Sequence, residues 1–338
     1  MLLLAAVYHE AFQAVLRSAH GYRCCGAVLL VESEVRIWPT TSMEMERRFY
    51  LLDVFAEGPY SGNQLAVFRN ASALGESDML RLAREVHISE TAFILSDSPH
   101  GGGYDVRIFT PAHEIPFSGH AVLGAAWVLQ CELLHEPVSR IMVNLGIGPV
   151  QVDFDYHYGD LDAVWMAHRP PEYGPVVDPQ AVASAVGLDP SELDTRWPVQ
   201  EVSAGLPFIM VPVPSLDVIQ RARVDANGYG NLSSVTGVKA LYLFTHEAYN
   251  PENDFNVRMF APEHGIAEDP ATGAAAGCLA AYLLRYVRPD AHGLDLRIEQ
   301  GYEVRRPSLL FARSRREKDR TTVTVGGRIV MVAQGNFV

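Results

Sequence analysis

Hydrophobic and polar positions change rhythm several times along this 338-residue chain. "RFYLLDVFAE" (48–57), "TAFIL" (91–95) and "YDVRIFTP" (104–111) have the apolar, β-branched and aromatic character of strands, and "GPYSGN" (58–63) reads as a turn. "LPFIMVPV" (206–213), "ALYLFTH" (240–246) and "FNVRMFAP" (255–262) bring the strand character back. Ser77 is placed to cap a helix over 78–86, with Leu80, Ala83 and Val86 on its inner face. Two stretches are different in kind. "GHAVLGAAWVLQC" (119–131) and "EDPATGAAAGCLAAYLL" (268–284) predict helices that are apolar nearly all round, as buried helices are. "TTVTVGGRIVMVAQG" (321–335) reads as a closing hairpin around Gly326 and Gly327.

Two of these elements resemble each other at an offset of 151 residues. "RIFTPAHEI" (107–115) and "RMFAPEHGI" (258–266) share Arg, Phe, Pro, His and Ile in order, and each leads into one of the apolar helices. The expected class is therefore α+β, with two similar domains, each a sheet wrapped around a central buried helix. Residues 45–165 would form the first domain and 166–330 the second, and 331–338 would return to the first. Pro170, Pro171, Pro175 and Pro179 mark the linker region. Residues 1–44 read as an N-terminal extension, with a short helix over 5–19 and a strand over 27–38. Facing helix N-termini would turn unpaired N–H groups on one spot and make a pocket for an anion. Small residues in "SGHAVLG" and "ATGAAAG" would let a ligand carboxylate come close to the backbone.

Charge and composition narrow the function. A net charge of −13 argues against nucleic-acid binding, which needs a concentrated basic surface. No apolar run reaches the length of a spanning helix, so no membrane partner is expected. Four cysteines, two of them adjacent at 24 and 25, form neither a disulfide framework nor a zinc-ligand pattern, which points to a reducing, cytoplasmic setting and no metal.

From Arg48 onward the chain resembles the PhzF-like phenazine-biosynthesis isomerases, which share the diaminopimelate-epimerase fold. The resemblance rests on "DVFAEGPYSGNQLAVF", "ISETAFIL", "RIFTPAHEIPFSGHAVLGAA", "EDPATGAAAG" and the closing "RRPSLL" and "VTVGGRIVMV". It implies an active site between the domains, no cofactor, and a homodimer as the frequent assembly. It also implies that Glu90 of "SET" is the general acid/base, and that His120 and Asp269 orient polar groups of the substrate. Ser118, Gly119, Thr272, Gly273 and Ala274 would line the substrate carboxylate pocket. Two residues depart from the family pattern: Gln64 stands where Pro is usual, and Ala274 where the phenazine enzyme has Ser.

The expected activity is a cofactor-independent isomerase that shuttles a proton between carbons of a small, cyclic amino or hydroxy acid, similar to trans-2,3-dihydro-3-hydroxyanthranilate isomerase. The alternatives are an amino-acid racemase or epimerase, another secondary-metabolism enzyme, or a non-catalytic binder using the same cleft. Ser118 and Thr272 stand where two-base epimerases carry Cys, which disfavours stereoinversion. Laying "GLPFIM" on "ETAFIL" puts Gly205 opposite Glu90, which suggests a single acid/base. A lone Glu90 in an apolar cleft should titrate nearer neutrality, whereas Asp269 at a helix N-terminus should stay ionised. Glu268 reads as structural, as do His113 and His264.

Overall fold

A computed structural model describes residues 47–337 apart from 238, 239 and 319, all within one compact unit, Met45–Val338. The helix expected over 5–19 and the strand over 27–38 lie outside the described residues.

Strand β1 (Arg47–Val54) runs antiparallel to β2 (Asn63–Phe68). Helix α1 (Glu76–Val86) then crosses over, so that β3 (Glu90–Ile94) lies parallel to β2 and antiparallel to β4 (Tyr104–Phe109). Short β5 (Glu114–Ile115) folds back on β4 and feeds α2 (Gly119–Leu129). After it, β6 (Arg140–Leu145) lies parallel to β4, and β7 (Gly148–His157) and β8 (Asp160–Ala167) follow antiparallel.

The second half repeats this plan strand for strand. Strand β9 (Glu172–Val176) and helix α3 (Pro179–Ala185) lead in, with β9 antiparallel to β10 (Gln200–Ser203). Strand β11 (Pro207–Pro212) pairs with β10, and helices α4 (Leu216–Arg221) and α5 (Ala226–Thr236) occupy the place of α1. Strand β12 (Leu241–Thr245) is parallel to β11 and antiparallel to β13 (Phe255–Ala261), on which β14 (Ile266–Asp269) folds back. Helix α6 (Gly273–Tyr286) then precedes β15 (Gly293–Gln300), β16 (Ser308–Glu317) and β17 (Arg320–Gly327).

Each apolar helix is the core of its own half. Helix α2 packs on β1, β2, β3 and β8, and α6 on β10, β11, β15, β16 and β17. Val122, Leu123, Leu279 and Leu283 are wholly enclosed, each worth roughly 1.5–3 kcal/mol of burial. This enclosure explains why α2 carries no Asp, Glu, Lys or Arg and α6 only Arg285, in its last turn. No helix among the described residues is long and apolar enough to cross a membrane.

The chain end differs from the expected hairpin. Strand β17 pairs with β16 and with β8, whereas β18 (Ile329–Phe337) pairs with β1 in the first half. Gly326 and Gly327 are sites of close approach rather than turn residues. A Cβ on Gly326 would sit 2.5 Å from the Val164 carbonyl oxygen, and one on Gly327 would sit 2.6 Å from the Phe55 ring. Alternating apolar residues on both sides of a Gly pair fit a hairpin and a crossover equally well; what decides is that β1 needs a partner on its other edge. Helix α1 also begins earlier than expected, with Gly75 rather than Ser77 at its N-cap and Met79 and Ala83 buried.

The repeated Arg has the same task in both halves. Arg107 Nε lies 2.7 Å from Glu114 on β5, and Arg258 Nε lies 2.8 Å from Glu268 on β14. Each pair fastens the folded-back strand that aims the following helix. The second pair is the buried one, at 3% and 11% exposure, and Arg258 also donates to the carbonyls of Ile219 and Ala222. Glu268 is therefore a structural acid whose carboxylate is used up inside its own half.

Candidate active site

The N-terminal ends of the two buried helices carry the chemistry. Glu90 opens β3, His120 is the second residue of α2, and Asp269 closes β14 three residues before the α6 N-cap, Thr272. Glu90 comes from β3, held between β2 and β4, and His120 from α2, which packs on β3. The β13–β14 pairing delivers Asp269 from the second half, where Met259 stands opposite it. The two helices touch.

Glu90 Oε2 lies 3.2 Å from His120 Nε2, with side chains only 15% and 8% exposed. The two atoms are not aligned for a hydrogen bond, so the contact is one of charge. Burial pushes the Glu90 carboxyl up, but the facing His120 charge outweighs it, helped by the Ser89 hydroxyl, and Glu90 is held below its ordinary pKa. Burial likewise opposes charge on His120, yet Glu90 and then Asp269 outweigh it and raise the ring's pKa. Each shift favours the charged form, carboxylate on Glu90 and imidazolium on His120.

Asp269 goes the other way. Burial pushes its carboxyl up to about 6, against the hydrogen bond from Thr272 and the charge of His120, while the Glu90 charge adds to the rise. This reverses the expectation that Glu90 would drift toward neutrality, whereas Asp269, though raised, stays mostly ionised at neutral pH. The reason is position: His120 sits against Glu90, and Asp269 is the more enclosed acid. Asp269 is not a helix cap either. Thr272 Oγ1 donates to Asp269 Oδ2 at 2.5 Å and Asn63 Nδ2 to Oδ1 at 3.0 Å, so each carboxylate oxygen already has one donor.

A supporting frame surrounds Asp269. Gln300 Nε2 donates to the Asp269 carbonyl at 2.7 Å and to Thr272 Oγ1 at 2.9 Å, while Gln300 Oε1 accepts from Thr272 N at 3.1 Å. Buried Asp53 accepts from Arg306 and from Tyr60 N, and Arg306 also donates to the Ser61 and Gly62 carbonyls. This fixes the loop just ahead of Asn63. Sequence reading missed Asn63, Gln300 and Asp53; the dense turn signal of "GPYSGN" was the one hint of the first.

Ser118 and Thr272 are the N-caps of α2 and α6, and neither side chain caps its helix. Ser118 Oγ lies 3.3 Å from His120 Nδ1 instead. The first-turn N–H groups at Gly119 and at Gly273 and Ala274 are left unserved by their own cap side chains, as an anion site at paired helix ends requires. Two cavities, of about 510 and 590 Å³, lie elsewhere on the second half, one beside Trp197 and Val287 and the other beside Val176 and Leu232.

The symmetry of the halves breaks at each of the three polar residues. Arg107 and Arg258 stand at matching places, opposite Phe93 on β3 and Leu243 on β12, so Glu90 corresponds to Ala240. Ile115 faces Ile108 as Asp269 faces Met259, so Asp269 corresponds to Ile115. Counting from the N-caps, His120 corresponds to Ala274. The expected overlay of "GLPFIM" on "ETAFIL" is therefore wrong. Residues 205–210 lead into and form the start of β11 and match "GNQLAV", which does the same for β2, so Gly205 corresponds to Gly62. The inference of one unmatched acid survives, because Ala240 cannot move a proton.

The phenazine biosynthesis-like family model, PhzC-PhzF, matches residues 52–335. An uncharacterized isomerase from Mesorhizobium japonicum is 36% identical over 301 residues, covering 87% of this chain and 99% of its own. The trans-2,3-dihydro-3-hydroxyanthranilate isomerase of Pseudomonas fluorescens is 32% identical over 291 residues, 86% of this chain and 99% of its own. The crystal structure of a PhzF-family phenazine biosynthesis protein from Bacillus anthracis superposes with a TM-score of 0.80 at 24% identity, over 86% of this chain and 99% of that one. The α+β halves wrapped on buried helices, the site between them and these relatives agree: the chain belongs to the PhzC-PhzF family of phenazine biosynthesis-like proteins and is an isomerase.

Proposed function

We propose that Glu90 carries a proton from one carbon to another of a small, cyclic, carboxylate-bearing amino or hydroxy acid, without a cofactor. The observation that carries this is the broken symmetry: Ala240, Ala274 and Ile115 occupy the places in the other half that match Glu90, His120 and Asp269. Stereoinversion needs a base on each side of the substrate carbon, whereas a same-face transfer needs one. The hydroxyls that replace paired thiols are also engaged, Thr272 with Asp269 and Ser118 beside His120.

In the resting site Glu90 is ionised and ready to accept. The C–H bond breaks toward its carboxylate, the electron pair moves through the conjugated ring, and the carboxylic acid returns the same proton at the far carbon. No electrons are gained or lost. His120, 3.2 Å from Glu90, favours the charged carboxylate until the proton arrives. Asp269 accepts from the substrate's ammonium or hydroxyl group, and the N–H groups around Gly119, Gly273 and Ala274 hold its carboxylate. Ala274 offers no hydroxyl, so at α6 the backbone alone does this.

The trans-2,3-dihydro-3-hydroxyanthranilate named for the Pseudomonas relative is the first substrate to test. The enzyme is read as cytoplasmic and homodimeric, and light scattering on the purified chain checks the assembly. General acid–base catalysis is worth about 10²–10⁴-fold, so Glu90→Gln should lose at least about 100-fold in kcat while still binding the ligand. A variant within a few-fold of the wild type would remove Glu90 from the reaction.

A further inference from the structure

Asn63 is the first residue of β2 and is 3% exposed. Its one amide nitrogen spends both hydrogens on the other half of the molecule, on Asp269 Oδ1 at 3.0 Å and on the Ala271 carbonyl at 3.0 Å. The matching residue in the second half is Leu206, which is 53% exposed and faces no such carboxylate. The donor is thus present only where an acid needs holding. The preceding turn is built to aim it: Gly62 has φ 68° and would bring a Cβ to 2.4 Å of the Val54 carbonyl oxygen, while Arg306 binds the Gly62 carbonyl.

We propose that Asn63 is a positioning residue, delivered by the first half to fix the orientation and charge of Asp269 in the second and so to couple the relative placement of the halves to the reactive geometry. This deepens the reading of Asp269 as a substrate-binding acid and rests on it. With Asn63 on one carboxylate oxygen and Thr272 on the other, the carboxylate plane is locked. The remaining lone pairs stay available to a substrate donor. A hydrogen bond that favours the charged form also restrains the rise that burial imposes on Asp269.

The test is a carbon-13 carboxyl titration of the full chain labelled at aspartate, with Asp269 assigned from its loss in Asp269→Asn. Asn63→Ala removes both donors, and Asn63→Leu does so while roughly keeping the volume and adding no charge. In the wild type Asp269 should titrate at about 6. In either variant the midpoint should climb by about one to two pH units, the worth of a lost hydrogen bond to a charged group. The acid limb of kcat/KM should climb with it. An unmoved midpoint in a folded variant, or failure of both variants to fold, would overturn the proposal. The titration needs no turnover. A wild type that isomerises nothing would therefore count against the proposed function and leave the role of Asn63 to be decided by the midpoint.

Discussion

Replacing Asp269 by Asn should make the protein more stable while disabling it. The carboxyl rises from an ordinary 3.8 to about 6 in the folded chain, mainly because it is buried. The folded state thus holds this proton more tightly than the unfolded chain does. The resulting stabilisation is fully present below about 3.8 and is lost as pH rises through about 6, so that at pH 8 the folded protein carries a buried, ionised carboxylate. Two pH units and a fraction correspond to about 3 kcal/mol. That is an upper figure, because part of the rise comes from the neighbouring Glu90 charge. Asn fits the same hydrogen bonds: its oxygen can accept from Asn63, and its amide can donate to Thr272 Oγ1 once that hydroxyl turns. Urea unfolding of wild type and Asp269→Asn at pH 8, 6 and 4 should show the variant ahead by up to about 3 kcal/mol at pH 8, with the gap closing toward pH 4. A variant less stable than wild type at pH 8, or a gap that ignores pH, would refute the reasoning. Rate and substrate binding should fall together in the same protein.

His168 is half-buried beside Gly277 of α6 with its Nε2 enclosed and unpartnered, and desolvation drives its pKa down to about 4. The unfolded chain takes up that proton first, so stability should fall as pH drops from about 6.5 to 4, by up to about 3 kcal/mol, and His168→Gln should flatten that part of the curve in calorimetry. Arg306→Ala would strand the Asp53 carboxylate, whose side chain is 2% exposed. Breaking a buried pair costs about 3–5 kcal/mol, so the melting temperature should drop by roughly 10 °C, with Arg306→Lys in between; an unchanged melting temperature would show that Asp53 is satisfied without it.

Much of the architecture was legible because it is written twice. The offset between "RIFTPAHEI" and "RMFAPEHGI" marks matching strands, the repeated Arg107 and Arg258, and the approach to each buried helix. What escaped depended on contacts between distant segments. Alternation cannot say whether β18 returns to β17 or crosses to β1. Similar apolar strings cannot say that "GLPFIM" matches β2 rather than β3, which only the registers settle. The direction of the Glu90 shift was misjudged for the same reason, since His120 faces it from another element. Asn63 looked like a turn residue, and it is one; its second task appears only when Asp269, 206 positions later in the chain, lies against it.

The claim that one acid on one face does the work is tested most directly by following the proton itself. Substrate deuterated at the carbon that loses its proton, with trans-2,3-dihydro-3-hydroxyanthranilate as the probe, should yield product in which part of that deuterium has moved to the receiving carbon, on the face it left. In Glu90→Gln this transfer should vanish together with turnover. Product that carries only solvent hydrogen at the receiving carbon, delivered to the opposite face, would mean that a second base completes the reaction and that the single-carboxylate account is wrong.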